Sequence, residues 1–103
     1  MPTLYLNTLT CKVAEDWNLG LNQDEPRIKV NGEPVADLNV EEGLTYSVDK
    51  SVRFTGEARI TLVERDTPDG EDFLGEHVVK GGSDTLKFTK DGAYYLLSYV
   101  VTE

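Results

Sequence analysis

Apolar and polar residues alternate with a period of two through much of this chain. The alternation occurs in short segments separated by turn signals, of which Asn31-Gly32 is the strongest indication of a β-hairpin. A period of two places successive side chains on opposite faces of a strand, whereas a helix needs a period near 3.6. The pattern therefore predicts strands throughout the chain.

About eight strands can be placed by this rule. In the first strand, the apolar residues move to the other position of the alternation near Asn7 and Thr8, which predicts a β-bulge or a break at a sheet edge. The last strand, 93–101, is apolar on both faces, which predicts a central position or a contact with a partner. Short strands without crossover helices favour antiparallel pairing in a sandwich over a small barrel. We predict an all-β fold, an antiparallel eight-stranded β-sandwich, that spans residues 1–103 as one domain.

The charge of the chain limits its partners. There are 19 acidic and 10 basic residues, which give a formal net charge of -9 and repel nucleic acid and anionic lipid in the absence of cations. We expect no nucleic-acid partner. The start of the chain has neither a basic segment nor a long apolar stretch, and no later segment approaches the ~20 apolar residues of a membrane span, so cytoplasmic localisation is the default expectation.

The chain has one cysteine and one histidine, which limits its chemistry. Cys11 stands between apolar positions, as a buried and inert thiol does, and His77 is expected to be a strand residue with a satisfied hydrogen bond. No nucleophile and base pair is evident. Paired carboxylates can hydrolyse glycosides, but a domain of this size offers little cleft for a sugar. We therefore expect no enzymatic activity.

Two acidic segments, 15–26 and 64–75, carry the functional signal. If Ile60 and Leu62 face the core, Glu64 and Asp66 continue the same inward row past the end of their strand, and Asp72 returns after the Pro-Asp-Gly turn. Several carboxylates around one opening repel each other, and a cation would remove that repulsion. The alternative is that these acids only solvate turns.

Calcium suits these side chains better than zinc does. Calcium takes six to eight oxygen ligands and tolerates irregular geometry, whereas zinc prefers nitrogen and sulfur. Neither His77 nor Cys11 has a partner at the spacing of a zinc site. Calcium (Ca²⁺) is therefore the expected metal.

The second acidic segment resembles the third calcium-binding loop of the C2 domain, the calcium- and phospholipid-binding β-sandwich. That family has an Asp-x-Asp pair, five residues, an Asp, two residues and a Gly. The same spacing joins Glu64, Asp66, Asp72 and Gly75, with one glutamate in place of an aspartate.

The first acidic segment resembles the first loop of the same family, where an aspartate and a glycine precede an Asp-Pro pair. Here Asp16 and Gly20 precede Asp24-Glu25-Pro26, so the loop is longer by one or two residues and ends in Glu-Pro. Cys11 lies five residues before Asp16, and the pattern Gly-x-Ala-x-Ile-x-Leu-x-Glu-x-Asp follows at residues 56–66. Together these two motifs make the chain similar also to small bacterial modules of C2-like appearance.

The resemblance implies an all-β, antiparallel eight-stranded Greek-key β-sandwich of the C2 type and a set of calcium ligands. Loop carbonyls such as that of Arg65 would contribute to the coordination. The implied carboxylate ligands are Asp16, Asp24 or Glu25, Glu64, Asp66 and Asp72.

Apolar residues within the first acidic segment indicate a partner. Trp17, Leu19 and Leu21 lie among the implied ligands, where they can contact a protein partner, mediate self-association or cap the end of the core. A membrane partner is not favoured, because the lysines and arginines form no basic cluster. The competing interpretation is a metal-independent structural or protein-interaction domain.

Overall fold

The computed structural model describes residues 1–15, 23–66 and 70–103, with the backbone alone at Asp66. Within these ranges the chain forms eight long strands and two strands of two residues each. The strands are β1 (Thr3–Val13), β2 (Gln23–Asp24), β3 (Pro26–Val30), β4 (Glu33–Asp37), β5 (Val40–Glu41), β6 (Thr45–Arg53), β7 (Ala58–Asp66), β8 (Gly70–Val79), β9 (Ser83–Phe88) and β10 (Tyr94–Thr102).

The eight long strands form two antiparallel four-stranded sheets. The strand order is β6-β1-β10-β9 in the first sheet and β4-β3-β7-β8 in the second, and β2 pairs with β5 at the margin. The chain crosses between the sheets several times, which confirms the predicted antiparallel eight-stranded Greek-key sandwich. Among the residues that the structure describes, no helix is long and apolar enough to span a bilayer.

The parity change in β1 is a β-bulge, as predicted. The register of β1 against both β6 and β10 shifts between Leu6 and Thr8. One extra residue in a strand returns the following side chains to the same face. Leu4, Leu6 and Leu9 are consequently all fully buried in one core despite their unequal spacing.

β10 lies between β1 and β9, so the central position predicted for the last strand is confirmed. Its inward residues include Tyr95 and Leu97, both fully buried between the sheets.

The turn between β3 and β4 is the two-residue hairpin that Asn31-Gly32 predicts. Asn31 and Gly32 both have positive φ, 52° and 86°, as the two-residue hairpin requires.

His77 connects the two sheets at one edge of the sandwich. It lies on β8, and its Nε2 is 2.5 Å from the carbonyl oxygen of Lys87 on β9. Its ring also meets Phe88 edge to face, with 5.1 Å between the ring centroids. The expectation of a hydrogen-bonded strand histidine is confirmed.

Cys11 is fully buried, as predicted from its position between Leu9 and Val13 in the alternation. Burial raises the pKa of the thiol to about 11, because the thiolate would lose its hydration. Thiolate is the nucleophilic form of cysteine, so this residue is poorly reactive near neutral pH.

Candidate metal centre

The second acidic segment is more regular than the sequence indicated. β7 continues through Asp66 and β8 begins at Gly70, so Glu64 and Asp72 are direct cross-strand partners. This corrects the expectation that Glu64 and Asp66 lie past the end of their strand, because backbone pairing extends to Asp66 and Gly70. The expected inward direction of Glu64 is confirmed, since the residue is only 2% exposed.

Asp24 is the second buried acid at this end of the sandwich, and it is 2% exposed. It lies in β2, which pairs with β5 at Val40. Its Oδ2 accepts a hydrogen bond from the backbone N–H of Glu15, with N and O 2.7 Å apart. The same oxygen accepts a hydrogen bond from the hydroxyl of Tyr95 on β10. Backbone and side-chain donors therefore hold this carboxylate inside the fold.

Glu64 is held by the segment that follows Asp24. Its Oε2 accepts a hydrogen bond from the backbone N–H of Glu25 at 2.5 Å. The carbonyl of Glu25 in turn accepts hydrogen bonds from Arg65, from the backbone N at 3.0 Å and from Nε at 3.2 Å. These reciprocal contacts fix the chain before β3 against the end of β7.

These contacts bring carboxylates from separate parts of the chain into two groups at one end of the sandwich. In each group, one potential ligand oxygen from each residue lies within 4.8 Å of the others. Glu15 belongs to both groups, so the groups are adjacent. The first contains Glu15, Asp24 and Glu64, and the second contains Glu15, Asp72 and Asp91.

Three of the acids implied by the C2 resemblance belong to these adjacent groups: Asp24 and Glu64 are in the first, and Asp72 is in the second. Glu25 is exposed and belongs to neither group, so Asp24 is the better candidate of that pair. The carboxylate of Asp66 and all of Asp16 lie outside the described residues, as do Gly20 and the apolar residues Trp17, Leu19 and Leu21.

Two members of the groups were not selected from the sequence. Glu15 was part of the first acidic segment but does not match the first-loop motif, so only its position directly before Asp16 could have indicated it. Asp91 belongs to an Asp-Gly pair that reads as a turn signal, and its φ of 56° is consistent with that function. Its place beside Glu15 and Asp72 depends on the packing of the turn before β10.

The first group concentrates negative charge in a partly dry environment. Two full charges 4.8 Å apart repel each other by about 3 kcal/mol at an effective dielectric constant of about 20. Both groups offer carboxylate oxygens and neither includes histidine or cysteine. This donor set fits a hard cation such as calcium and is unsuited to zinc.

The hydroxyl of Tyr95 supports Asp24 from the core. Burial, and secondarily the hydrogen bond to Asp24, raises the pKa of Tyr95 far above its usual value, so the hydroxyl stays protonated and donates. Tyr95→Phe keeps the packing but leaves a buried carboxylate with one donor fewer. We expect the free energy of unfolding in chelator to fall by about 1–3 kcal/mol, measured by urea denaturation.

Tyr99→Phe is the matched control for that substitution. Tyr99 lies on the same strand and is 8% exposed, and its replacement by phenylalanine also removes one tyrosine hydroxyl group. We expect it to change the unfolding free energy by less than about 0.5 kcal/mol. Equal losses in the two variants would contradict the role assigned to the hydroxyl of Tyr95.

Comparison with known proteins agrees with this architecture. A solved structure described as "Structure of a C2 domain" aligns over 100% of both chains with a TM-score of 0.63 and 16% sequence identity. No family model matches the sequence, and no curated protein matches it. At this identity the likeness shows the fold. The chain is a C2-like β-sandwich, as its loop motifs predicted.

Proposed function

We propose that this protein is a non-catalytic, calcium-binding β-sandwich module. The observation that carries the proposal is the convergence of Glu15, Asp24 and Glu64, whose potential ligand oxygens lie within 4.8 Å of one another while Asp24 and Glu64 are almost fully buried. The carboxylates of such a group repel one another, and a positive charge among them would reduce that repulsion. A divalent ion with many oxygen ligands is the simplest means of doing so.

The second group extends the proposed site. Asp72 follows the third-loop spacing of the C2 resemblance, and Asp91 adds a carboxylate from the turn before β10. A carboxylate has two oxygens, so Glu15 can bridge two neighbouring ions. Asp16 and Asp66, which the resemblance implies as ligands, would complete the coordination from the ends of the adjoining segments.

Calcium would act on the segment between Glu15 and Asp24. Both ends of this segment are held at the candidate site, by the hydrogen bond between Glu15 and Asp24 and by that between Glu25 and Glu64. Neutralising the site would order the intervening residues for contact with a protein partner. Trp17, Leu19 and Leu21 are the proposed contact residues, and a membrane partner is less favoured because of the net charge of -9.

A metal-independent interaction domain is the second candidate function. It is favoured by the hydrogen bonds that Asp24 and Glu64 already accept from Tyr95 and from the backbone of Glu15 and Glu25. Such donors stabilise buried carboxylates without an ion. In that case the acidic end contributes solubility and fixes the loops.

Thermal unfolding with calcium, magnesium and chelator separates these two functions. Calcium at about 100 times its Kd stabilises the native state by about 2.7 kcal/mol, which raises the Tm of a domain of this size by roughly 10 °C or more. We expect magnesium to produce a smaller rise, because it requires stricter octahedral geometry. A Tm that is the same in chelator and in millimolar calcium would support the metal-independent function.

Asp91→Asn then tests the second group, and Asp84→Asn is its control. Asp84 lies on β9 and belongs to neither group. We expect Asp91→Asn to weaken calcium binding and Asp84→Asn to leave it unchanged, measured by calorimetric titration. Equal affinities in the two variants would remove Asp91 from the proposed site.

A further inference from the structure

Asp24 lies on an element that belongs to neither main sheet. β2 and β5 have two residues each and, in the part of the chain that the structure describes, they pair only with each other, with Asp24 opposite Val40. A two-stranded ladder of this length is not stable by itself in water. The position of Asp24 therefore depends on the contacts that fasten β2 and β5 to the sandwich.

The side chain of Arg65 fastens both strands of this pair. Its Nε donates to the carbonyl oxygen of Glu25, the residue directly after β2, at 3.2 Å. Its Nη2 donates to the carbonyl oxygen of Leu38, which lies between β4 and β5, at 2.8 Å. One guanidinium group on β7 thus contacts both of the segments that carry the short strands.

The third contact of this guanidinium is an ion pair on the outer surface of the second sheet. Arg65 Nη1 lies 3.6 Å from Asp37 Oδ2, and the two side chains are 26% and 39% exposed. Ion pairs with this much exposure contribute little in water. A backbone carbonyl, in contrast, has a fixed place in the chain and reports directly on the position of its segment. We therefore assign the holding of β2 and β5 to the two carbonyl contacts.

Two adjacent residues of β7 hold the backbone of Glu25 from both of its peptide groups. Glu64 faces inward, and its Oε2 accepts the N–H of Glu25 at 2.5 Å. Arg65 faces the other side of the strand, and its backbone N and Nε donate to the carbonyl oxygen of Glu25. The chain directly after Asp24 is consequently tied to the end of β7 by a candidate ligand and by its neighbour.

The carboxylate of Asp24 itself is held from the core. It accepts hydrogen bonds from the hydroxyl of Tyr95 and from the backbone N–H of Glu15. Arg65 holds the same short strand from the outside, through the backbone on either side of the β2–β5 pair. A site that is already ordered in its binding geometry loses less binding free energy to ordering when the ion binds.

We propose that Arg65 is a positioning residue for the candidate metal centre, and that its guanidinium holds Asp24 and Glu64 in one geometry before an ion binds. The inference rests on the proposed calcium function, because these two carboxylates are among the proposed ligands. It gives a role to the side chain of a residue for which the C2 resemblance implies only a carbonyl ligand. Groups that orient metal ligands from outside the coordination sphere strongly affect metal affinity in other proteins.

The two carbonyl contacts require arginine rather than lysine. A guanidinium presents several N–H donors in a fixed planar arrangement, whereas an ammonium is a single point of charge on a flexible stem. Arg65→Lys keeps the positive charge but does not replace the contacts with Glu25 and Leu38 together. We expect the Kd for calcium to rise about tenfold, as when other orienting groups are lost, measured by calorimetric titration.

Arg59→Lys is the matched control, because it makes the same change on the same strand. Arg59 Nε lies 3.5 Å from Glu76 Oε2, and the arginine side chain is 54% exposed. Neither residue belongs to the two carboxylate groups. We expect the control to change calcium affinity by less than about threefold. Circular dichroism checks that both variants fold.

Amide hydrogen exchange in chelator tests the positioning role without calcium. The amide of Glu25 donates to Glu64, and the amide of Glu15 donates to Asp24. Their exchange rates therefore report how firmly the two carboxylates are held in the metal-free protein. A general loss of stability would instead accelerate exchange in the core strands as well.

We expect Arg65→Lys to accelerate exchange of these two amides about tenfold. The amides of Ile60 and Leu62, in the buried part of β7, should change by less than about threefold. Arg59→Lys should leave all four rates unchanged. A local change of this kind distinguishes a positioning role from a contribution to the stability of the whole sandwich.

These measurements separate failure of this inference from failure of the calcium function. If the unmodified protein bound no calcium, the proposed function would be contradicted, and the exchange rates would still decide whether Arg65 holds the two carboxylates. Three results would each overturn the inference: unchanged exchange of the Glu15 and Glu25 amides in Arg65→Lys, equal acceleration of all four amides, or an Arg65→Lys variant that binds calcium as tightly as the unmodified protein does.

Discussion

Replacing Glu64 by glutamine is expected to weaken calcium binding about a hundredfold, equivalent to about 2.7 kcal/mol, while it stabilises the metal-free protein. Glutamine has the same shape, and its carbonyl oxygen can still accept the hydrogen bond from the backbone N–H of Glu25. The substitution removes one buried negative charge from the group with Glu15 and Asp24. We expect the unfolding free energy in chelator to rise by about 1–3 kcal/mol.

The loss of calcium affinity and the gain in metal-free stability both come from removing the same buried charge. The charge that repels its neighbours in the metal-free state is the charge that attracts the ion, which is a common trade-off between stability and function. Calorimetric titration with calcium measures the first effect, and urea denaturation in chelator measures the second.

Glu25→Gln is the control for this prediction, because it makes the same chemical change at an exposed position outside both groups. We expect it to alter calcium affinity less than threefold, about 0.6 kcal/mol, and to leave the unfolding free energy unchanged. A Glu64→Gln variant that binds calcium normally would contradict the proposed site. A large effect of Glu25→Gln would instead select Glu25 over Asp24 as the ligand.

Replacing Gly75 by alanine is expected to lower the free energy of unfolding by about 3 kcal/mol. Gly75 has a φ of 146°, in a region that residues with a Cβ rarely adopt. An added Cβ would lie 3.0 Å from Phe88 Cδ1 and 3.3 Å from Phe88 Cα, and Phe88 is fully buried. The backbone of β9 would have to move away from β8.

Gly43→Ala separates the conformational cost from the steric one. Gly43 also has positive φ, 91°, but an added Cβ there has nothing within 4 Å. We expect this control to lose about 1 kcal/mol, the cost of the backbone conformation alone. Urea denaturation measures both variants, and equal losses would show that the contact with Phe88 is not important for stability.

Several features of the fold were determined by local sequence pattern. The alternation with a period of two predicted the strands, and the parity change near Asn7 predicted the bulge in β1 that the register confirms. Asn31-Gly32 predicted a hairpin, because two consecutive residues with positive φ are favourable only for such residues. These features depend on a few neighbouring residues, so a single sequence reveals them.

The candidate site was predicted only in part. The spacing of the second acidic segment selected Glu64 and Asp72, and the first-loop motif selected Asp24. Glu15, Asp91 and Tyr95 escaped selection because no motif places them near these acids. Each belongs to a different part of the chain, and only the packing of β1, β2, β7 and β10 brings them together.

The sequence pattern established that the chain forms strands, where most of them turn, and that acidic side chains concentrate in two segments. Tertiary packing decided which acids lie within 4.8 Å of one another, and it placed Tyr95 on β10 where its hydroxyl donates to Asp24. It also decided that the outer side of β10 faces solvent. The physical reason is that alternation reports which residues are on opposite faces of a strand, whereas the environment of each face depends on which strands pair.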